Sequence, residues 1–501
     1  MMNVWVDVQG AERVSGAESR RRRPLWWALS LCLCLSACAV GPDYHRPAQA
    51  VGATYAEAPQ GQWLAAQPQM VAQQQWWRAL DDAGLDRLME RMPAGNLDLA
   101  QSEAQYRQAR AALSASRAGL FPSVGAASSF KRAGQGVAGS GNPSGTYGLS
   151  ASVTWEADLW GQVRREVEAS RAGAQASEAD VAAMRLSLQS TLAQAYFGVR
   201  VSQLQDALLA RTLDAYQQAL TMTRNRLAAG VASPADVAAA SAQLDQTRVQ
   251  RIQLGWQRAQ QIHAIAVLMG EVPGGFQMVA GEGLPQVPQV PAGVPSALLQ
   301  HRPDIASSER LVAQANARIG VAQAAWFPDL TLSAQGGYSA GTFASWITAP
   351  ARFWTLGPAL ALSLFDGGAR SAAVEQAKAA YDAQAASYRK TVLVALREVE
   401  DALVQSHDMV EQQAAQNQAL AAARETLRQV TNQYQAGLVD YLNVVQAQTS
   451  ALSAEQNSLN LQAQRLDAAV QLVVALGGGW PGLNPAAPLP AALPPQASSA
   501  Q

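Results

Sequence analysis

The sequence is short of reactive side chains. Its 501 residues include three cysteines and four histidines, and aromatics make up 6 %. Cys32, Cys34 and Cys38 crowd into seven positions near the start. Their neighbours are Leu, Ser and Ala, whereas metal clusters recruit further ligands nearby, so a metal site is set aside. His45, His263, His301 and His407 are scattered and form no H-E-x-x-H pair. No G-x-S-x-G, phosphate-binding loop or dinucleotide fingerprint occurs, so nothing argues for an enzyme. Long apolar runs are also lacking. None reaches 18 residues, which excludes a membrane-spanning helix. Large side chains are few, and Ala and Gln fill much of the middle. Such a chain suits long helices packed closely through small residues.

What is present begins with the leader. Arg20–Arg23 precede an apolar stretch, Leu25–Ala37, of thirteen residues. That is short of the roughly 20 needed to cross a bilayer but has the anatomy of a secretory signal. Leu35-Ser36-Ala37-Cys38 resembles the lipobox of bacterial lipoproteins. The resemblance implies cleavage before Cys38 and acylation of its sulfur and new amino terminus. An ordinary signal peptide with an incidental cysteine is the alternative. A start at Val14 would shorten the leader from 37 residues to 24. Each buried methylene contributes about 0.8 kcal/mol, so several acyl chains on Cys38 hold firmly where one would not. Ala39 in place of Asp implies, by the same resemblance, export to the outer membrane. Losing residues 1–37 removes five Arg and three acidic residues, leaving 32 Lys+Arg against 35 Asp+Glu, a net charge of −3. No basic run survives, so nucleic-acid binding has no electrostatic footprint.

The rest is one unit written twice. "QARAALSASRAGLFP" (108–122) aligns with "QANARIGVAQAAWFP" (314–328), an offset of 206. Asp98 and Asp304, and Gly161 and Gly367, share that offset, while Gly230 matches Gly437 and Gly270 matches Gly478 within two residues of it. The period is too long for a solenoid repeat and indicates a tandem of whole structural units.

Each unit starts with a helix, about Leu85–Ala118 and about Pro303–Ala325, stopped by Phe-Pro. Two alternating segments follow. In "YGLSASVTWEADLW" (147–160), Tyr147, Leu149, Ala151, Val153 and Trp155 face one way and Ser150, Ser152, Thr154 and Glu156 the other. "LTLSAQGGYS" (330–339) and "WTLGPALALSLF" (354–365) repeat the pattern, and "SVGAASSFKR" (123–132) shows it most weakly. Alternation over about ten residues is the signature of a transmembrane β-barrel strand. A long helix comes next. Val167–Ala228 contains no proline, and its 62 residues would span about 93 Å. Its counterpart carries Val392, Leu396, Val399 and Leu403. Glycine turns, "RLAAGVASPAD" (226–236) and "QYQAGLVDYLN" (433–443), end both, and returning helices run to Gly270 and Gly477. The domain layout is therefore a signal at 1–37, a lipid-anchored segment at 38–84, repeats at 85–284 and 298–479, a Pro-rich link at 285–297 and a Pro/Ala-rich tail at 480–501, expected to be disordered.

Four strands cannot close a barrel, since the smallest membrane barrels have about eight. An open edge in hydrocarbon leaves backbone groups unpaired at several kcal/mol each. Strands in the membrane therefore require oligomers, with eight strands in a dimer or twelve in a trimer. The alternative is a helical scaffold whose strands are surface hairpins.

The chain resembles the outer-membrane factors of tripartite efflux pumps, the TolC-like proteins, in their NodT-type lipoprotein branch. The marks are "CAVGPDYHRP" (38–47), "WWRALDDAGLDRLM" (76–89), "DLWG" (158–161), "LLQHRPDIASSERLVAQANARIGVAQAAWFPDLTLSAQGG" (298–337) and "LFDGG" (364–368). The resemblance implies a mixed α+β, mainly α fold and a homotrimer. Four strands per subunit would form a twelve-stranded barrel in the outer membrane, in contact with its lipid, above a twelve-helix periplasmic tunnel. A periplasmic adaptor would dock on the tunnel tip, and an inner-membrane transporter of the resistance-nodulation-division type would supply energy for exporting drugs, toxic compounds or metals. The only attached group implied is the lipid on Cys38; no cofactor is expected.

By this resemblance Gly230, Val231 and Ser233, with Gly437 and Leu438, would meet the adaptor. Relatives commonly carry acidic rings just inside the second turn, where this chain has Asn443 and Gln446, with Asp236 and Asp440 nearby. The departure counts against a strongly cation-binding gate. Two other readings are a duct coupled to an ATP-driven exporter and a lipid-anchored scaffold without a pore. His301, inside "HRPDI", reads as structural.

Overall fold

Prolines and glycines set most element boundaries. The computed structural model describes residues 39–49, 52, 55–56, 75–134, 144–278, 283–288 and 301–483. Cys38, the leader, positions 289–300 and the tail beyond 483 lie outside the described residues. A 3-10 turn, Trp76–Leu80, leads to α1 (Ala83–Gly95) and α2 (Leu97–Ala118). Next come β1 (Ser123–Ala133), β2 (Ser144–Ala157), α3 (Gln162–Ala228) and α4 (Pro234–Leu268). The same order returns as α5 (Pro303–Ala324), β3 (Asp329–Ala340), β4 (Arg352–Ala361), α6 (Ala369–Gln435) and α7 (Tyr441–Ala475). Both long helices have 67 residues and both returning helices 35. Each long helix is therefore about 100 Å from end to end.

Three sequence expectations need correction. The first helix is not continuous from 85 to 118 but breaks at Asn96. That side chain accepts from the Leu99 N–H at 2.8 Å, capping α2, and donates to the Leu268 carbonyl at 2.9 Å. The cap competes with helix continuation, and a tertiary contact decides it. β2 stops at Ala157 rather than 160, because the Asp158 carboxylate turns to accept from the N–H groups of Val163 and Arg164 at the start of α3. β4 ends at Ala361 rather than 365. Its last partner is Asp329, and the residue before that, Pro328, has no N–H to offer a ladder.

The chain divides into two compact units. One carries the sheet, on Ser114–Ala169 and Asn316–Ala379 with the described residues 39–44. Its strands lie in the order β1-β2-β3-β4, all antiparallel. The other unit is helical. Its largest cluster packs Trp76, Trp77, Leu85, Met89 and Met92 against Leu192, Tyr196, Phe197, Ile265, Leu466 and Val470. Asp82 caps α1 through the Gly84 and Leu85 N–H groups and accepts from the Tyr196 hydroxyl at 2.6 Å. The "HRPDI" stretch is a clamp. Buried Arg302 bonds Asp304 at 2.7 Å, Glu398 at 2.8 Å and the Ala475 carbonyl at 3.0 Å, holding the start of α5 to α6 and α7. His301 Nδ1 lies 3.3 Å from the Trp480 carbonyl.

Candidate functional site

Directly opposed residues of antiparallel strands share a face. Val124, Val153, Ala334 and Leu356 form one row, and Trp155, Leu332 and Pro358 another on the same face. That face also carries Phe130, Leu149, Tyr338, Trp354 and Leu360. The opposite face is small and polar, with rows such as Ser123, Thr154, Ser333 and Gly357. β1 belongs to this pattern although its alternation is faint, because Ala126 and Ser128 hold two of its apolar-face positions.

Aromatic rings gather at both ends of the sheet. At one end Phe130 and Tyr147 lie 4.7 Å apart, with Phe343 and Trp346 at 5.6 and 6.0 Å from Tyr147. At the other, Trp155 donates to the Leu120 carbonyl at 3.1 Å, and Trp160 stacks on Phe327 at 4.8 Å. Eight residues separate Tyr147 from Trp155. That is about 27 Å along the strand. At a barrel strand's tilt it is ~21 Å of depth, close to the ~25 Å apolar band of outer-membrane barrels. Among the described residues no strand pairs with the outer edge of β1 or of β4.

The stretch just after Cys38 is fixed to the sheet unit. Arg165 donates to the carbonyls of Val40 and Gly41 at 3.2 and 3.1 Å and to Asp43 at 3.0 Å. Asn316 donates to the Pro42 carbonyl at 2.9 Å, and the Val40 N–H to that of Trp160 at 2.9 Å. Burial would lower the Arg165 pKa, but the carboxylates of Glu168 and Asp43 outweigh it and raise the pKa, so the guanidinium stays charged. Arg165 and residues 40–43 are remote in the chain, so no local sequence signal marks this cluster.

The helical unit brings the two glycine turns side by side. α3 ends with the Gly230 N–H on the Leu227 carbonyl and the Val231 N–H on that of Arg226, at 2.9 and 2.8 Å. α6 ends identically, through Gly437 on Tyr434 and Leu438 on Gln433. Both glycines take the left-handed φ that this termination needs, +71° and +76°. Tyr216, Leu220, Leu244, Tyr434, Tyr441 and Val444 pack beneath the turns. Burial, then neighbouring Tyr434, Tyr216 and Asp236, push the Tyr441 hydroxyl up to about 12. Val231 and Leu438 point outward, 65 % and 76 % exposed. Ser233 and Asp236 are bound to each other in a capping box, at 2.8 and 3.1 Å. Asp440 begins α7 but makes no side-chain cap bond, and exposed Asn443 and Gln446 follow it on the first turns.

No helix among the described residues is long and apolar enough to cross a membrane. The family of outer membrane efflux proteins matches residues 88–271 and again 294–478. This chain is a member of that family. It is 31 % identical over 468 residues to the outer membrane protein OprJ of Pseudomonas aeruginosa, across 90 % of this chain and 95 % of OprJ. It is 30 % identical over 454 residues to the probable efflux pump outer membrane protein TtgC of Pseudomonas putida, across 89 % and 93 %. The solved outer-membrane channel OprN superposes with a TM-score of 0.82 at 32 % identity, over 88 % of this chain and 100 % of that one. The fold is that of the TolC-like channels, mainly α with a small antiparallel sheet. The protein is an outer-membrane channel for efflux.

Proposed function

We propose that three copies close their four-stranded sheets into one twelve-stranded barrel, the passive, non-catalytic exit of a tripartite pump. The observation that carries this is an amphipathic sheet with both edges open. In hydrocarbon each unpaired edge group costs several kcal/mol, and only a partner strand relieves it. A dimer would also close the edges. An eight-stranded barrel, however, is filled by its own side chains, whereas twelve strands leave a bore. The acyl chains on Cys38 anchor the sheet unit through residues 40–43, which Arg165 already holds. The paired turns, with Val231 and Leu438 exposed and Gly230, Ser233 and Gly437 shaping them, form the docking surface for a periplasmic adaptor. Through the adaptor, an inner-membrane transporter of the resistance-nodulation-division type drives small molecules out. Asp440 is the gate's charged residue, while Asp236 serves the cap and Asn443 and Gln446 leave the ring weakly charged.

The test joins two readouts. Purified protein in a planar bilayer should conduct. Photo-reactive residues at Val231 or Leu438 should capture an adaptor in cells. Absence of conductance returns the chain to a scaffold, and capture of an adaptor bound to an ATP-driven exporter replaces the transporter class.

A further inference from the structure

The sheet is polarised in charge along its strands. No carboxylate occurs from 123 to 155 or from 330 to 365, while Glu156, Asp158, Asp329 and Asp366 cluster at the end where the long helices begin. The far end carries Lys131, Arg132 and Arg352. Two of these cations lie on the apolar face. Arg132 continues the row of Val124 and Phe130, and Arg352 stands opposite Tyr338 on the face of Trp354. Each thus sits two residues outward of an aromatic on that face, Phe130 and Trp354. Lys131 points the other way, beside Ser129 and Thr146. Both arginines are exposed, and among the described residues neither side chain has an ion-pair or hydrogen-bond partner.

In the closed barrel proposed above, the register would bring these cations together between copies. Arg352 aligns through Tyr338 and Leu149 with Ser128, four residues short of Arg132 on β1. Strand ends therefore step across the sheet, the stagger that tilted strands of a closed barrel require. In that barrel β4 and the next copy's β1 would be antiparallel neighbours, so that the start of one meets the end of the other. With the rim level in the membrane, Arg352 of one copy and Arg132 of the next share one position. A cation at headgroup depth above an interfacial aromatic, facing lipid and lacking any carboxylate, complements an anionic headgroup.

We infer that Arg352 of one copy and Arg132 of the next together bind a phosphate on the headgroup of an outer-leaflet glycolipid. The site rests on the closed-barrel reading above and occurs three times per trimer. Two forked guanidiniums offer paired donors to phosphate oxygens. Phe130 and Trp354 meet the upper acyl chains.

Native mass spectrometry of the detergent-extracted protein tests this, with bisphosphorylated lipid A, its phosphate-free form and inorganic phosphate as probes. The wild-type trimer should bind the phosphorylated glycolipid and not the phosphate-free one. Arg132→Gln with Arg352→Gln should weaken binding about thirtyfold, at ~fivefold for each cation near a charged lipid surface. Lys131→Gln, one residue away on the other face, should leave it unchanged. A trimer whose lipid binding survives the double substitution, or falls equally in Lys131→Gln, overturns the site. Displacement by equimolar inorganic phosphate overturns the lipid assignment. A spectrum without trimers removes the closed barrel itself, and the site with it.

Discussion

Gly270, just past the end of α4, lies against the carbonyl of Gly95 at the end of α1, so closely that a Cβ on either would overlap the other's backbone neighbourhood. Gly477, past α7, stands in the same relation to the carbonyl of His301, so the structural counterpart of Gly270 is Gly477 and not Gly478 as the sequence offset suggested. The two halves of the chain thus repeat a backbone contact as well as a sequence pattern.

That contact separates two kinds of glycine. Gly270→Ala should cost about 3 kcal/mol or more, since backbone on backbone cannot give way. Gly230→Ala meets nothing within 4 Å and should cost only the left-handed strain, about 1–2 kcal/mol. Folded yield and apparent unfolding temperature in detergent distinguish them, with Gly270→Ala expected to yield little folded protein.

Arg226 spans the two hairpins at the tip. Its guanidinium lies 4.4 Å from the centre of the Tyr434 ring and donates to the Tyr434 carbonyl at 3.1 Å. Removing it should release about 1–2 kcal/mol of contact between the end of α3 and the end of α6. Arg226→Ala should therefore raise resting conductance in planar bilayers, and Arg226→Lys should raise it less. Equal conductance in all three proteins would mean the tips are held elsewhere.

The two aspartates near the turns should behave differently. Asp236 is committed to the Ser233 cap, so Asp236→Asn should lose about 1 kcal/mol of stability and leave divalent-cation block of the pore unchanged. Asp440 has no such bond, and Asp440→Asn should reduce the block. Titrating the single-channel current with a divalent cation checks both.

Asp467, on α7, carries a buried oxygen with no hydrogen-bond partner, and burial alone pushes its carboxyl up to about 6. Between the ordinary 3.8 and about 6 the folded chain holds a proton that the unfolded chain has released. Stability therefore falls as pH rises through that window. Asp467→Asn should raise the unfolding temperature at pH 7.5 and abolish the gain that wild type shows on acidification from pH 7 to 5. A wild type whose stability is flat over that range would place Asp467 in water.

Much of this was legible in the sequence because each signal was local. Phe121-Pro122 and Phe327-Pro328 mark where helices yield to strands, Gly230 and Gly437 mark the turns, and period-two patterning around Trp155 and Leu332 marks the apolar face of the sheet. What escaped depends on partners distant in the chain. Asn96 breaks a helix because Leu268 supplies a carbonyl, and β4 stops where Pro328 ends its neighbour. Arg165 and Arg302 look like ordinary surface charges until residues 40–43 and Glu398 fold onto them. The tip residues were found as turns, but that α3 and α6 meet through Arg226 and Tyr434 had no sequence signal.

In the proposed channel the open sheet is completed by other copies of the same chain. The most direct measurement is the native mass of the protein extracted from outer membranes in mild detergent. A trimer supplies the twelve strands that closure requires. A monomer that stays folded would leave β1 and β4 unpaired and contradict the channel assembly.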